Sequence, residues 1–338
     1  MKKFINKAED FVPEMLEGIY AAYPDYVTYV DDDVHCYTSV KKHNGKVGIV
    51  TGGGSGHLPL FLGYVGEGML DGCAVGDVFQ SPSSEQMLNV TKAVDQGAGV
   101  LYIYGNYNGD KFNFKAAAED AEMEYDIKVE QVIAGEDVAS GKRAENGERN
   151  LRRGVAGIFF VYKCAGAAAA KLMSIDEVKR IAEKCADQVA TMGVATSPCI
   201  VPRVGKPSFT LEENEMEIGM GIHGEPGIRK GELRSADEVV GEMLPPIISD
   251  LNLKQGDEVA VLVNGLGATP LEEQFIINRC ISKTLKDKEI KVYKTYVGEY
   301  ATSLEMSGFS ISLFKLDNEL KELLDAKADT PFFKQFGE

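Results

Sequence analysis

The sequence predicts an α/β protein of about two domains. Three observations carry this. At 338 residues the chain holds about two domains at roughly 150 residues each. Short runs rich in Val and Ile alternate with longer stretches of helical period, the pattern of β-loop-α units with a mostly parallel sheet. The texture then changes near residues 185–195, from helix-rich to Pro-rich and extended, which sets a boundary between a domain over 1–190 and a domain over 191–338.

The elements follow in order. Val47–Val50 reads as a buried strand running into Gly52-Gly53-Gly54. Pro82–Gln96 reads as a helix, with Ser81 or Ser83 as its cap. Val100–Tyr104 is the next strand, Lys111–Tyr125 a helix and Lys128–Ile133 a strand. Gly141–Arg153 is polar and charged and reads as a solvent loop, and Gly157–Ala170 is Ala-rich and apolar, a buried helix. Ile175–Met192 puts Ile181, Cys185 and Val189 on one face and reads as an amphipathic helix. Beyond the boundary, Ser197–Pro207 is extended and Glu215–Ile222 alternates as a strand. Ser235–Leu251 and Leu271–Leu285 read as helices; Glu258–Val263, Ile290–Tyr296 and Ile311–Leu316 read as strands.

Composition excludes several classes of function. With 36 Lys and Arg against 52 Asp and Glu, the net charge is −16. Phosphate affinity needs clustered Lys and Arg, so a nucleic-acid surface is not expected. A polybasic membrane anchor is disfavoured for the same reason. The N-terminus lacks an apolar leader and the most apolar stretch, Ile158–Met173, is too short to span a bilayer. Six cysteines lie far apart without a CxxC pair, the pattern of buried reduced thiols, and the cytoplasm is the expected compartment. No metal site is expected.

The chain has four histidines. His35 and His43 sit in polar segments without motif context and read as surface or structural groups. His57 ends Gly52-Gly53-Gly54-Ser55-Gly56-His57, and His223 lies within Gly219-Met220-Gly221-Ile222-His223-Gly224-Glu225-Pro226-Gly227. Each follows a strand and is flanked by residues without a Cβ, so a ligand can approach the backbone closely, and a strand's carboxyl end is where α/β sheets place ligands. The glycine run is not a P-loop, because Gly56 is followed by His57-Leu58 rather than Lys-Ser or Lys-Thr, and it is not a dinucleotide fingerprint, because His57 stands where the third Gly belongs. It reads instead as a loop cradling a small hydroxylated ligand with backbone N–H donors. Asp110, in Asn106-Tyr107-Asn108-Gly109-Asp110, is either a turn residue or a general base for a hydroxyl proton. Ser81 is either a helix cap or a ligand contact.

Taken together these segments resemble the substrate-binding subunit of the dihydroxyacetone kinase family. The resemblance is carried by Gly52–His57, Gly63–Leu70, Gly76–Ser83, Asn106–Asp110 with Asn113-Phe114, Arg152–Gly157 and Gly219–Gly227, in family order along the whole chain. It implies a two-domain subunit, each domain a sheet flanked by helices, that forms a homodimer and holds a short-chain ketose as a histidine hemiaminal. By motif match the anchoring residue is His223. Asp110 matches the base that deprotonates the substrate hydroxyl, and His57 the residue that hydrogen-bonds the adduct oxygen. Gly54, Ser55, Gly56 and Ser81 line the family's pocket. The resemblance also implies that this chain binds no cofactor of its own. The phosphoryl donor, Mg–ATP or Mg–ADP recharged by a phosphotransfer system, belongs to a separate helical subunit.

Two positions depart from the common family pattern. Leu58 stands where Glu follows the loop histidine, and Gly105 stands where Lys precedes Asn-Tyr. The variant pattern resembles the branch acting on larger ketoses, such as the four-carbon erythruloses. A rival reading is a sensor paralogue, which binds the ketone and coactivates a transcription regulator. Binding needs His223 alone, whereas chemistry also needs Asp110, and this chain has both.

Overall fold

The computed structural model describes residues 2–143 and 151–337. In chain order the elements are α1 (Phe11–Ala22), β1 (Val27–Val30), β2 (Asp33–Ser39), β3 (Gly48–Ser55), β4 (Gly72–Val78), α2 (Ser84–Val94), β5 (Val100–Gly105), α3 (Asn108–Tyr125) and β6 (Val129–Ala134). Then come α4 (Ile158–Ala170), α5 (Ile175–Asp187), β7 (Val189–Ser197), β8 (Glu215–Ile218), β9 (Arg229–Glu232), α6 (Ala236–Asp250), β10 (Glu258–Gly265) and α7 (Leu271–Asp287). β11 (Lys291–Gly298), β12 (Ser307–Leu316), α8 (Asn318–Asp325), β13 (Ala328–Asp329) and β14 (Lys334–Gln335) complete the chain.

The fold is α/β, with two compact units. One comprises residues 1–134, 160–185 and 320–338; the other comprises 135–159 and 186–319. The texture change near 185–195 marks only one of the crossings between them, so a continuous division at residue 190 gives way to a discontinuous one. Each unit holds a six-stranded sheet. In the first, the order is β1-β2-β4-β3-β5-β6. β4, β3, β5 and β6 run parallel, with Val50 opposite Gly72 and Val100 opposite Val129, while β1 and β2 form an antiparallel edge. In the second, the order is β11-β10-β12-β7-β8-β9, and only β10 and β11 are parallel neighbours.

Local chemistry explains the boundaries. Ser83 caps α2 in a reciprocal capping box with Gln86, Oγ accepting from Gln86 N at 3.1 Å and Ser83 N donating to Oε1 at 3.0 Å. α6 opens on the same box between Ser235 and Glu238. The helix expected over 175–192 ends at Asp187, because Val189–Met192 pair with β12 instead (Val189 opposite Phe314). Each sheet buries a contiguous apolar face. In the first unit Val50, Ala74, Val100, Tyr102 and Tyr104 pack with Met87, Val90, Phe114 and Ala117 of α2 and α3. In the second Met192, Val261, Val263 and Ile311 pack with Val240, Leu244, Ile277 and Ile281 of α6 and α7. The expected solvent loop over 141–153 is corrected at its C-terminal end. Arg152 is buried and clasps Asp250 through Nη1 at 2.9 Å and Nη2 at 2.8 Å; residues 144–150 lie outside the described residues.

Candidate active-site residues in each unit

The glycine run is not a loop. Gly52–Ser55 continue β3 and pair with β4, Gly52 opposite Ala74 and Gly54 opposite Gly76. Protein atoms, not open space, occupy the volume that side chains would need. A Cβ at Gly52 would lie 2.6 Å from Phe114 Cζ, one at Gly53 2.5 Å from the Phe61 ring, and one at Gly54 2.6 Å from Gln80 N. On their Cβ side the glycines therefore admit two aromatic rings and a returning backbone.

His57 follows directly and is 2% exposed. Its ring stacks on Phe79, with centroids 4.9 Å apart and planes 15° from parallel, and meets Phe61 edge-on, with centroids 6.1 Å apart at 82°. Ser55 turns inward, and its Oγ donates to Gly76 O at 2.8 Å, so it ties β3 to β4. Gly56 has φ +100°, a conformation that suits glycine at the turn into His57. Leu58 is half-buried, and Gly105 is the buried last residue of β5, opposite Ala134.

α3 begins at Asn108, three residues before the sequence predicts, which places Asp110 in its first turn. The carboxylate thus meets the positive end of the helix dipole, and it is 6% exposed. With burial as the larger cause, its charge helps to push the Tyr104 phenol and the Cys73 thiol up. Because Ser83 is the cap of α2, Ser81 is free for another task. Its Oγ lies 2.6 Å from where a Cβ on Gly109 would stand, and Asn113 Nδ2 donates to Pro82 O at 2.7 Å. The 76–83 segment therefore docks on the head of α3 and brings Ser81 beside the residue before Asp110. His35 donates through Nδ1 to Val75 O, 2.8 Å away, and His43 is exposed, as expected of structural and surface groups.

His223 belongs to the second unit. It sits in the turn between the antiparallel strands β8 and β9, not at the end of a parallel strand. The turn is closed by Gly221 N donating to Glu225 O at 3.0 Å and Ile228 N to Ile218 O at 2.8 Å. The sequence reading missed the partner of the ring. Glu225 accepts from His223 N through Oε2 at 2.9 Å, and its Oε1 stands 3.0 Å from Nδ1. Burial alone would push this carboxyl up; the His223 ring and the turn's backbone N–H groups outweigh it and hold the pKa at about 2. An ionised carboxylate only accepts, so Nδ1 carries the hydrogen, and in the neutral ring the lone pair is on Nε2. Behind the turn, Arg153 donates through Nε to Asp137 Oδ2 and through Nη2 to Gly219 O, both at 2.9 Å. Burial raises the Asp137 pKa to about 6 against the opposing pull of Arg153. A Cβ at Gly221 would lie 2.1 Å from Glu225 Oε2 and 2.4 Å from Arg153 Nη1, so carboxylate and guanidinium converge over a position only glycine fills.

Among the described residues no group of three or more His, Cys, Asp or Glu side chains is placed to hold a metal ion, and no helix is long and apolar enough to cross a membrane. Comparison with known proteins agrees with the motifs. Residues 17–332 match the Dak1 domain model. The chain is 45% identical over 335 residues to PTS-dependent dihydroxyacetone kinase 2, dihydroxyacetone-binding subunit DhaK, of Listeria innocua, covering 99% of each. It is 39% identical to the D-erythrulose kinase of Mycolicibacterium smegmatis, covering 99% of this chain and 57% of that longer protein. Among solved structures, the dihydroxyacetone kinase operon co-activator Dha-DhaQ superposes with a TM-score of 0.89 at 31% identity, covering 98% of this chain and 99% of that one. The order of motifs from Gly52 to Gly227, the two sheets and these full-length likenesses place the chain in the Dak1 family, among the DhaK-type kinase subunits.

Proposed function

We propose that this chain is the ketose-binding subunit of a kinase and presents the hydroxyl of a covalently held short-chain ketose to a phosphoryl donor on a separate subunit. The observation that carries the reading is the His223–Glu225 pair. Nε2 adds to the ketone carbon; the C–N bond forms as the carbonyl π pair moves to oxygen, which takes up a proton. The ring gains positive charge in that step, and Glu225, already ionised and bonded to Nδ1, stabilises it and accepts the Nδ1 proton to leave a neutral hemiaminal. Alcohols such as glycerol have no electrophilic carbon and are rejected by chemistry rather than by fit. The family resemblance assigns His57 to the adduct oxygen and Asp110 to the proton of the attacking hydroxyl, with Gly54, Ser55, Gly56 and Ser81 framing the substrate. Mg–ATP, or Mg–ADP recharged by a phosphotransfer subunit, would be held by a helical partner. The subunit is proposed to act as a homodimer in the cytoplasm. A sensor role is the second reading, favoured by the likeness to the co-activator; retention of Asp110 supports the kinase.

Glu225→Gln keeps the length of the side chain and a hydrogen bond to Nδ1 but removes the charge that balances the adduct. Ketone affinity is expected to fall by about 10–100-fold, the order of one charge-assisted bond at about 1.5–3 kcal/mol. Titration of the intact protein by native mass spectrometry reads this directly, and unchanged affinity would remove Glu225 from the site.

Gly105 and Leu58 bear on substrate size. If a Lys and a Glu have been lost together, no buried charge is left unpaired, and a four-carbon chain and its charge have left the neighbourhood of β5. A four-carbon or branched ketose is therefore expected to have the higher kcat/KM, within the roughly 10–200-fold range that a single added group commands. The experiment is a panel of dihydroxyacetone, D- and L-erythrulose and a branched pentulose with the cognate donor subunit. Dihydroxyacetone leading by tenfold or more would defeat the size argument; no phosphorylation of any member would defeat the kinase reading.

A further inference from the structure

Two phenylalanines beside His57 adopt a backbone conformation that bulky residues avoid. Phe61 has φ +67° and Phe79 has φ +60°. For a residue with a Cβ the left-handed region is strained, and such strain persists only where the surroundings over-determine it, most often at functional sites. Both residues are half-buried rather than core, so the apolar burial of either ring does not call for a strained backbone. Their shared target is one imidazole: Phe79 stacks on its face and Phe61 closes its edge. The glycine run serves the same end. Gly53 clears the space that the Phe61 ring fills, and Gly54 clears the space for the backbone of Phe79 and Gln80. Phe79 N then donates to Ser55 O at 3.0 Å and fixes the approach of the segment.

From this we infer that Phe61 and Phe79 are positioning residues that hold the His57 ring in one plane, and that Gly53 and Gly54 are glycines in order to admit them. The inference rests on the proposed role of His57 at the substrate. A ring gripped on its face and edge cannot flip between rotamers, so its nitrogens keep a fixed aim through the reaction. Proton transfer demands such aim, because a misplacement of about 1 Å can cost about a hundredfold in rate. The same aromatic walls keep bulk water from the ring.

The variants are Phe79→Leu and Phe61→Leu, which keep an apolar side chain and remove the aromatic contact, with Phe79→Tyr as the conservative rescue. With only four histidines in the chain, selective labelling of imidazoles gives a spectrum simple enough to follow each ring. The stacked geometry predicts a ring-current displacement of the His57 ring protons that disappears in Phe79→Leu and survives in Phe79→Tyr. In the coupled phosphorylation assay Phe79→Leu is expected to lose about 10–100-fold in kcat with KM changed less than about threefold, and Phe79→Tyr to restore most of it. In a His57→Ala background, Phe79→Leu should cost nothing further, because the residue it positions is gone. Equal losses with and without His57 would overturn the positioning role and leave the phenylalanines as packing. A ring-current shift that persists in Phe79→Leu would overturn the stack itself. Full activity of His57→Ala would instead sink the reading of His57, and with it any catalytic purpose for the clamp, while the ring-current result still reports the geometry. If Phe79→Leu proves unstable, Phe61→Leu runs through the same cycle on the edge contact.

Discussion

His223→Ala is expected to abolish the covalent ketone adduct completely. In the wild type, intact-mass measurement with excess ketose should show a gain equal to the whole ketose. Addition of a ring nitrogen to a ketone expels nothing, whereas a Schiff base on lysine would add the ketose less one water. The alanine variant should show no gain. No other histidine stands in for it: His35 is tied to Val75 O through Nδ1, His43 is exposed and outside every motif, and His57 is buried between two phenylalanines. The loss should not come from unfolding. The side chain of His223 is 24% exposed in a surface turn, and the turn's own closure, Gly221 N to Glu225 O, does not involve the ring. The melting temperature should therefore stay within a few degrees of wild type, while phosphorylation falls with the adduct. An adduct retained in His223→Ala would place the anchor on another residue. An adduct lost with phosphorylation intact would make the covalent state a side reaction rather than the bound substrate.

Where the sequence was legible, a single physical signal decided the outcome. Val100–Tyr104 is a run of β-formers in a buried parallel sheet, and β5 spans Val100–Gly105. Ser235 precedes Glu238 by three residues, and that capping box starts α6. The reading went astray where two periods fit the same residues. Ile181, Cys185 and Val189 share a helical face, yet Val189 opens β7, since a strand's apolar residues at that register face the same core. β4 escaped because Gly72 and Gly76 dilute its apolar pattern, and the β1–β2 hairpin because β1 has only four residues and Asp33, His35, Thr38 and Ser39 interrupt the apolar pattern of β2. Arg152 and Arg153 read as solvent because the composition of a segment does not reveal Asp250 and Asp137, which are distant in sequence and lie against them in the fold. Among the candidate site residues, motif matching singles out His57, Asp110 and His223, but backbone dihedrals leave no mark on composition. The left-handed Phe61 and Phe79 were therefore invisible, and the glycines that admit them read as a loop although they continue β3. Glu225 was the nearest miss. A carboxylate two residues from a histidine across Gly224 is a spacing that can close a turn onto the ring, and that geometry could have been weighed from sequence alone.

The second large effect belongs to Asp110. Asp110→Asn keeps the shape of the side chain and a hydrogen-bonding oxygen while removing its capacity to take a proton. Ketone binding, read by intact mass, should survive, because the adduct forms on His223. Phosphorylation with the donor subunit should fall by about 10²–10⁴-fold, the usual worth of positioned acid–base assistance. Stability cannot account for a change of that size. A carboxylate in the first turn of a helix is favoured by the dipole by about 0.3–1 kcal/mol, and its loss is offset by relief from burying a charge at a position 6% exposed. The two contributions leave a shift in melting temperature of at most a few degrees. The pH profile separates a base from a bystander. If Asp110 accepts the hydroxyl proton, the wild-type rate carries an acidic limb as the carboxylate is protonated. In the Asn variant that limb vanishes, and the residual rate rises with hydroxide instead. Ser81→Ala provides the control beside it, since Ser81 Oγ lies against Gly109 at the same helix head: it removes a neighbouring hydroxyl but no proton acceptor, so the acidic limb should remain. Full activity in Asp110→Asn, or an acidic limb that persists unchanged in it, would end its assignment as the base and move the search to the other polar groups at the head of α3.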